Sequence, residues 1–383
     1  MKRYLKQLKE AIFKGDWVLL LLCIITSGFG CLMVASATNY LNSLRYISLQ
    51  IVGACIGIFL YAVVSSVETE FFMEHRWPLV VFNVLFLSLL IPFGVTINGN
   101  RSWIEFPFLP FRIQVAEICK LPYILIMASV MNAHKEKISS FRSVFHMVFH
   151  LAVLFGLINI LSSDMGVSLI FVFIFAVMAY TGGVNLMWFG TAIAGIAVAL
   201  PFIWPKLPEY MRLRIEVLFH PELDPTGTGV LYQTNLSLRS LTGGGMTGQG
   251  LFNGHRTQND ILVGQHTDFI FSVIGEELGY MGCLLVLVLL GAIIGRCIWV
   301  GVRSPEYARR LICFGAAGAL IFQTLINIGM CMGIAPVIGL TLPFISYGAT
   351  SIVSLYAMLG LVSGVYARPV ATSRERYIRP PLY

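Results

Sequence analysis

Three carboxylates, Asp268, Glu276 and Glu277, fall within ten residues of the segment 265–279, QHTDFIFSVIGEELG, where an apolar run long enough to cross a bilayer begins. A carboxylate at membrane depth costs roughly 3 kcal/mol on insertion scales, so it is retained where it faces a partner, water or a substrate. Further polar residues gather elsewhere. The stretch NGNRSWIEFPFLPFRIQVAEICK supplies Arg101, Trp103, Glu105, Arg112, Glu117 and Lys120, and Glu117 and Lys120 are spaced to share one helical face. Asp164 lies in a short connection between two apolar runs. Arg212 and Arg214 open a long polar loop that Asp268, with His266 beside it, closes. Such a set suits a lipid-linked substrate. Arginine forks match pyrophosphate oxygens, and a carboxylate about 2.6–3.2 Å from an acceptor hydroxyl has general-base geometry. Sugar transfer from a pyrophosphate needs one base and neutralisation of the leaving anion by Arg, Lys or a divalent ion.

Each residue also has a plainer reading. Glu117 with Lys120 could be a buried ion pair that fixes helix packing, and Arg101, Arg112 and Arg214 could be headgroup anchors. Trp103 falls in the interfacial zone where tryptophans collect. His146 and His150 are four apart but have no third ligand nearby, so packing is favoured over metal binding. The 8 cysteines are scattered through apolar stretches without a CxxC pair and read as membrane-core thiols.

The elements that must position these groups follow from composition. Of 383 residues, 57% are hydrophobic and 12% charged, with mean hydropathy +0.80, against about 25% charged in soluble domains. That excludes a soluble fold. The expectation is an all-α, polytopic integral membrane protein forming one domain over residues 1–383. A window of about 20 residues gives ten spans, near 17–38, 46–67, 77–95, 115–132, 144–161, 167–181, 185–205, 269–301, 309–333 and 343–367. The first is too long for a cleaved signal and reads as an uncleaved span. The eighth is too long for a straight crossing, so it starts at the membrane surface or tilts. On alternate sides of such a bundle the 26 Lys and Arg divide seventeen to eight, with Lys120 inside a span. The positive-inside rule then places both termini in the cytoplasm. Residues 1–16 and 368–383 become cytoplasmic ends, and 206–266 a large extracytoplasmic loop between helices seven and eight. The net charge of +7 fits loops facing anionic lipid, with no nucleic-acid partner. Residues 242–250, TGGGMTGQG, contain GxGxxG without a preceding strand and read as a flexible, tightly turning segment whose backbone could approach a ligand.

The segments holding these residues resemble the SEDS family of bacterial cell-wall glycosyltransferases, of RodA, FtsW and SpoVE types, over nearly the whole chain. NGNRSWI followed by AEICK resembles the family's R-W-I segment and S-E-x-x-K helix, and Ser163-Asp164-Met165-Gly166 its P-D-L-G turn. Tyr232-Gln233 and GGGMTGQGL resemble its loop motif, HTDFIFSVIGEELG is near-verbatim, and residues 327–351 match its last two helices. The NIGM wording at 327–330 leans toward the RodA, elongation-type branch.

The resemblance implies polymerisation of lipid II into β-1,4 glycan strands outside the bacterial cytoplasmic (inner) membrane, with release of undecaprenyl pyrophosphate. It also implies a class B penicillin-binding protein as cross-linking partner and association with the elongation machinery. By matching motif, Asp268 becomes the catalytic base. Arg101, Trp103, Glu117, Lys120 and Asp164 fall on motif positions too, with Glu276 and Glu277 in support; together with Arg45, Arg214, Gln233 and His266 they are the candidate substrate and pyrophosphate residues. No metal ligand is assigned, although acidic residues near a pyrophosphate permit Mg or Mn. The chain departs from the family in Gln114-Val115-Ala116-Glu117 for Q-P-S-E, in Val263-Gly264 for a proline and glutamate, and in Ser346-Tyr347-Gly348-Ala349-Thr350 for S-Y-G-G-S. These changes bear on loop geometry rather than on the residues carried over. Two rival readings stand beside this one: a lipid II flippase, and a non-catalytic scaffold for a cross-linking partner. A flippase needs polar groups along the whole crossing, whereas these gather near one face.

Overall fold

The computed structural model describes residues 15–74, 76–97, 99–106 and 111–368. The cytoplasmic ends expected at 1–16 and 368–383 lie outside them, apart from Gly15, Asp16 and Arg368. Long apolar runs form helices because a chain in lipid must satisfy its backbone internally. In chain order these are α1 (Trp17–Ala37), α2 (Arg45–Ser66), α3 (Arg76–Ser88, continued by Leu90–Phe93), α4 (Val115–Ala133) and α5 (Phe141–Ser162). Then follow α6 (Met165–Thr181), α7 (Leu186–Ile203), α8 (Ile270–Arg303), α9 (Tyr307–Cys331) and α10 (Ala349–Ala367). Among the described residues nine are long and apolar enough to cross a membrane; the tenth, α6, is apolar but has 17 residues. The protein is a multi-pass membrane protein.

Three places differ from the sequence expectation. Helix α8 has 34 residues, about 51 Å at 1.5 Å per residue, more than a hydrocarbon core of about 30 Å. It resolves the excess by breaking at Gly279 (φ 65, ψ −159), a conformation essentially reserved for glycine. Helix α10 starts at Ala349 rather than near 343, and residues 332–348, with Pro336 and Pro343, form an irregular connection. Residues 94–114 are not a simple loop but a small antiparallel sheet in the order β1 (Gly94–Ile97), β2 (Asn100–Ile104), β3 (Ile113–Gln114). Ile97 pairs with Asn100, and Gly99 between them has φ 86. Asn-Gly is the usual two-residue hairpin signal, and it was legible in the sequence.

Burial is uneven. Helices α4, α9 and α10 are mostly buried, while the spanning window of α7 buries none of its residues. Helices α2 and α10 meet closely through small residues: a Cβ at Gly53 would come 3.0 Å from Ala349 Cα, and one at Gly360 2.8 Å from the Tyr61 carbonyl. Gly53 and Gly57, like Gly360 and Gly364, keep the four-residue spacing that lets membrane helices approach backbone to backbone.

The 206–266 segment is more ordered than a polar loop. It contains helices Glu209–Phe219, Tyr232–Gly243 and His255–Gln258. Its glycine run packs on the protein itself. A Cβ at Gly244 would collide with the Gly275 carbonyl, and one at Gly248 (φ 81) with the Glu277 carbonyl. The N–H groups of Gln249 and Gly250 donate to the carbonyls of Glu276 and Glu277 at 2.9 and 3.0 Å, so the run is a docking strap on the first part of α8.

Candidate active site

The backbone around Asp268 is held at almost every carbonyl. Gln265 donates through Nε2 to the carbonyls of Ala37 (2.9 Å) and Thr257 (3.0 Å). The His266 carbonyl accepts from the Tyr347 N–H at 2.8 Å, and the Thr267 carbonyl from Ser346 Oγ at 2.6 Å. Asn327 Nδ2 donates to the Asp268 carbonyl (2.8 Å) and to the Leu340 carbonyl (2.6 Å). The motif residues Asn327, Ser346 and Tyr347 therefore clamp one turn, and that turn aims the Asp268 carboxylate. Gly264 has φ 73, and its carbonyl accepts from the N–H groups of Thr267 and Phe269. The exchange at 264 does remove a carboxylate that the family pattern carries, and the glycine closes the turn instead.

Asp268 is half-buried. Burial, and next the charge of Asp164, push its carboxyl up to about 6, with Arg214 and Thr267 pulling the other way. A carboxylate in that range is mostly ionised at neutral pH yet basic enough to take a proton. Asp164 caps α6. Its Oδ1 accepts from the Val167 N–H at 3.1 Å and its Oδ2 from Ser102 Oγ at 3.0 Å. Burial raises its carboxyl above the ordinary range against those two hydrogen bonds. Ser102 lies on β2, so the small sheet anchors this second carboxylate. The sequence reading passed over Ser102, because a serine between Arg101 and Trp103 carries no signal without the strand.

Arg214 donates from one guanidinium nitrogen to the Val337 carbonyl at 2.7 Å. With Gln233, Tyr210, Tyr232 and Val337 it lines a cavity of about 420 Å³. Arg212, on the same short helix, has a buried Nε with no partner among the described residues. Asp268, Asp164, Arg214 and Gln233 thus belong to one neighbourhood.

Glu117 and Lys120 form a second group inside the bundle. Lys120 Nζ sits 2.7 Å from Glu117 Oε2 and 3.4 Å from Gln323 Oε1, and Ser354 Oγ donates to Glu117 at 3.2 Å. All four side chains are buried. The pair is fixed between α4, α9 and α10, and the negative charge of Glu117 is felt at Asp164. His266 belongs to an aromatic cluster, 5.1 Å from the ring of Tyr46 and 5.8 Å from that of Tyr347. Burial lowers its basicity, and its Nδ1 is buried without a partner among the described residues. Arg45 and Arg112 act electrostatically on Tyr347, beside that cluster.

Other expected residues stand apart. Arg101 spends its guanidinium on the carbonyls of Gly94 (3.2 Å) and Ile91 (2.8 Å), and Trp103 pairs with Val95 and Gln114 in the sheet. Neither contacts Asp268 in the hydrogen bonds of the described residues. Glu276 and Glu277 are fully buried. Glu276 accepts from the N–H groups of Arg256 and Thr257, both at 3.0 Å, and from the Thr257 hydroxyl at 2.8 Å. Glu277 accepts from Ser36 Oγ at 2.6 Å and Gln258 Nε2 at 2.9 Å. They pin the large loop to α8 and α1 and are positioning residues.

The described residues hold no group of three His, Cys, Asp or Glu that could form a metal cage, and both oxygens of Asp164 accept hydrogen bonds.

A family model described as "Cell cycle protein", covering FtsW, RodA and SpoVE, matches residues 16–369. The chain is 30% identical over 371 residues to a probable peptidoglycan glycosyltransferase FtsW of Trichlorobacter lovleyi, covering 93% of this chain and 95% of that one. It is 27% identical over 362 residues to the peptidoglycan glycosyltransferase MrdB of Escherichia coli K12, covering 94% and 95%. Its fold matches a chain of a peptidoglycan synthase complex that coordinates polymerisation and crosslinking, with TM-score 0.77, 28% identity and coverage of 95% and 98%. It also matches the rod shape determining protein RodA of Thermus thermophilus, with TM-score 0.68, 26% identity and the same coverage. This chain belongs to the FtsW, RodA and SpoVE family of cell cycle proteins.

Proposed function

We propose that this protein is a peptidoglycan glycosyltransferase that joins lipid II disaccharides into β-1,4 glycan strands at the outer face of the cytoplasmic membrane. Its relatives carry that enzyme name, and the observation that supports the reading best is Asp268. It is half-buried, held by its backbone, titrates at about 6 and stands near Arg214. In the proposed step the acceptor hydroxyl oxygen bonds to the anomeric carbon of the donor from the side opposite the leaving group. The anomeric carbon–oxygen bond breaks, undecaprenyl pyrophosphate leaves with the electron pair, and Asp268 takes the hydroxyl proton. Arg214 neutralises the diphosphate, and Gln233 orients it from the cavity wall. Asp164 keeps Asp268 basic, and Glu117 with Lys120 fixes the helices beneath. No step is routed through a metal.

We assign the chain to the elongation branch on its NIGM segment, with both termini in the cytoplasm and the 206–266 segment outside. A class B penicillin-binding protein is the proposed partner, a reading supported by similarity to a complex that couples polymerisation with crosslinking. Purified full-length protein in sealed liposomes with fluorescent lipid II tests the activity. Polymer without net translocation is expected; translocation without polymer would replace the enzyme by a flippase.

A further inference from the structure

At the opposite end of the bundle from Asp164, residues from three helices enclose a cavity of about 790 Å³. Helix α5 connects the two regions: Phe141 starts it beside the cavity, and Asp164 lies two residues beyond its last, Ser162. Twenty-two residues make about 33 Å of helix, so the cavity and the candidate active site lie a membrane thickness apart.

The cavity is strongly one-signed. Arg76, Lys137 and Arg142 line it, together with His134 and His146, and among the described residues no carboxylate does. None of the three fixed cations has an ion pair among the described residues. Like charges brought together without a counterion repel, so the arrangement is relieved by an anion. The two histidines are hydrogen-bonded to each other, one ring nitrogen donating and the other accepting. His134 Nε2 lies 3.0 Å from His146 Nδ1, and the Ser143 hydroxyl 3.2 Å from His134 Nδ1. One wall is apolar. Phe145 and Phe149 line the cavity and are 63% and 55% exposed, continuing an i, i+4 stripe from Phe141. A soluble anion has no use for that wall, whereas an acyl chain does.

We propose that this cavity binds the phosphate headgroup of an anionic lipid, with Arg76, Lys137 and Arg142 on the phosphate and Phe145 and Phe149 against the acyl chains. Basic pockets between membrane helices suit such headgroups. The site is independent of the sugar-transfer chemistry at Asp268 and lies in the other leaflet.

Native mass spectrometry of the full-length protein from nanodiscs containing phosphatidylglycerol or cardiolipin mixed with phosphatidylcholine tests it. Wild type should retain the anionic lipid in preference to phosphatidylcholine. Lys137→Gln, an exposed loop change that leaves the helices intact, should lower that retention about fivefold, and Arg76→Gln with Arg142→Gln further, at roughly fivefold per charge. Arg303→Gln, which removes a cation stacked on Trp299 at 4.0 Å, should leave retention unchanged. Millimolar inorganic pyrophosphate should not displace the lipid. Equal retention by wild type and Lys137→Gln would overturn the proposal. Binding of pyrophosphate without lipid preference would also overturn it, and would give the site to a soluble anion.

Discussion

At the scale of single residues, Asp268 carries the chemistry and its neighbours set its strength. Burial and the Asp164 charge raise its carboxyl to about 6, and only the ionised form accepts a proton. Activity should therefore rise with pH through an acid limb centred near 6. Replacing Asp164 by Asn removes the negative neighbour, so the Asp268 carboxyl falls and the acid limb moves to lower pH. A pH–rate profile of the two proteins checks this, and an unmoved limb would separate the two carboxylates. Glu276 serves differently. Glu276→Ala would leave the Arg256 and Thr257 N–H groups and the Thr257 hydroxyl without their acceptor, at a cost of about 3 kcal/mol. It should lower thermal stability in detergent and free the large loop to protease.

At the scale of elements, α8 depends on one glycine. Gly279→Ala would force a Cβ into a conformation worth about 1–3 kcal/mol of strain, against the backbone of Met246 and Gly248. The expected result is a loss of thermal stability larger than that of Gly291→Ala, where a Cβ meets open space. A difference near zero would mean that α8 runs straight. Helix boundaries were largely legible in the sequence, because about 20 apolar residues must cross together and charges stop them. The break at Gly279 was visible only as excess length. The sheet at 94–114 was missed because its strands have only 4, 5 and 2 residues, too few to show an alternating pattern, and only the Asn-Gly pair signals a hairpin.

At the scale of the molecule, the bundle brings together groups that the sequence keeps far apart. Ser102 reaches Asp164, Asn327 reaches Asp268, and Ser36 reaches Glu277. Motif resemblance identified the titratable residues, and their surroundings come from helix packing that no local pattern encodes. That is why Arg101, conspicuous in the sequence, proves to brace a hairpin, while Arg212, less conspicuous, holds a buried unpartnered N–H. The α2 and α10 contact closes this arrangement. Gly57→Leu, whose side chain would strike the Tyr356 ring, should destabilise the whole fold by several kcal/mol through overpacking, read as a fall in melting temperature with all helices affected.

The most direct measurement is gel-resolved polymerisation of lipid II by the purified full-length protein, with its cross-linking partner present, comparing wild type with Asp268→Asn and Asp268→Ala. Loss of the base should slow strand formation by about 10²–10⁴-fold while both variants melt like wild type. Strands made at the wild-type rate by either variant would contradict the role given to Asp268.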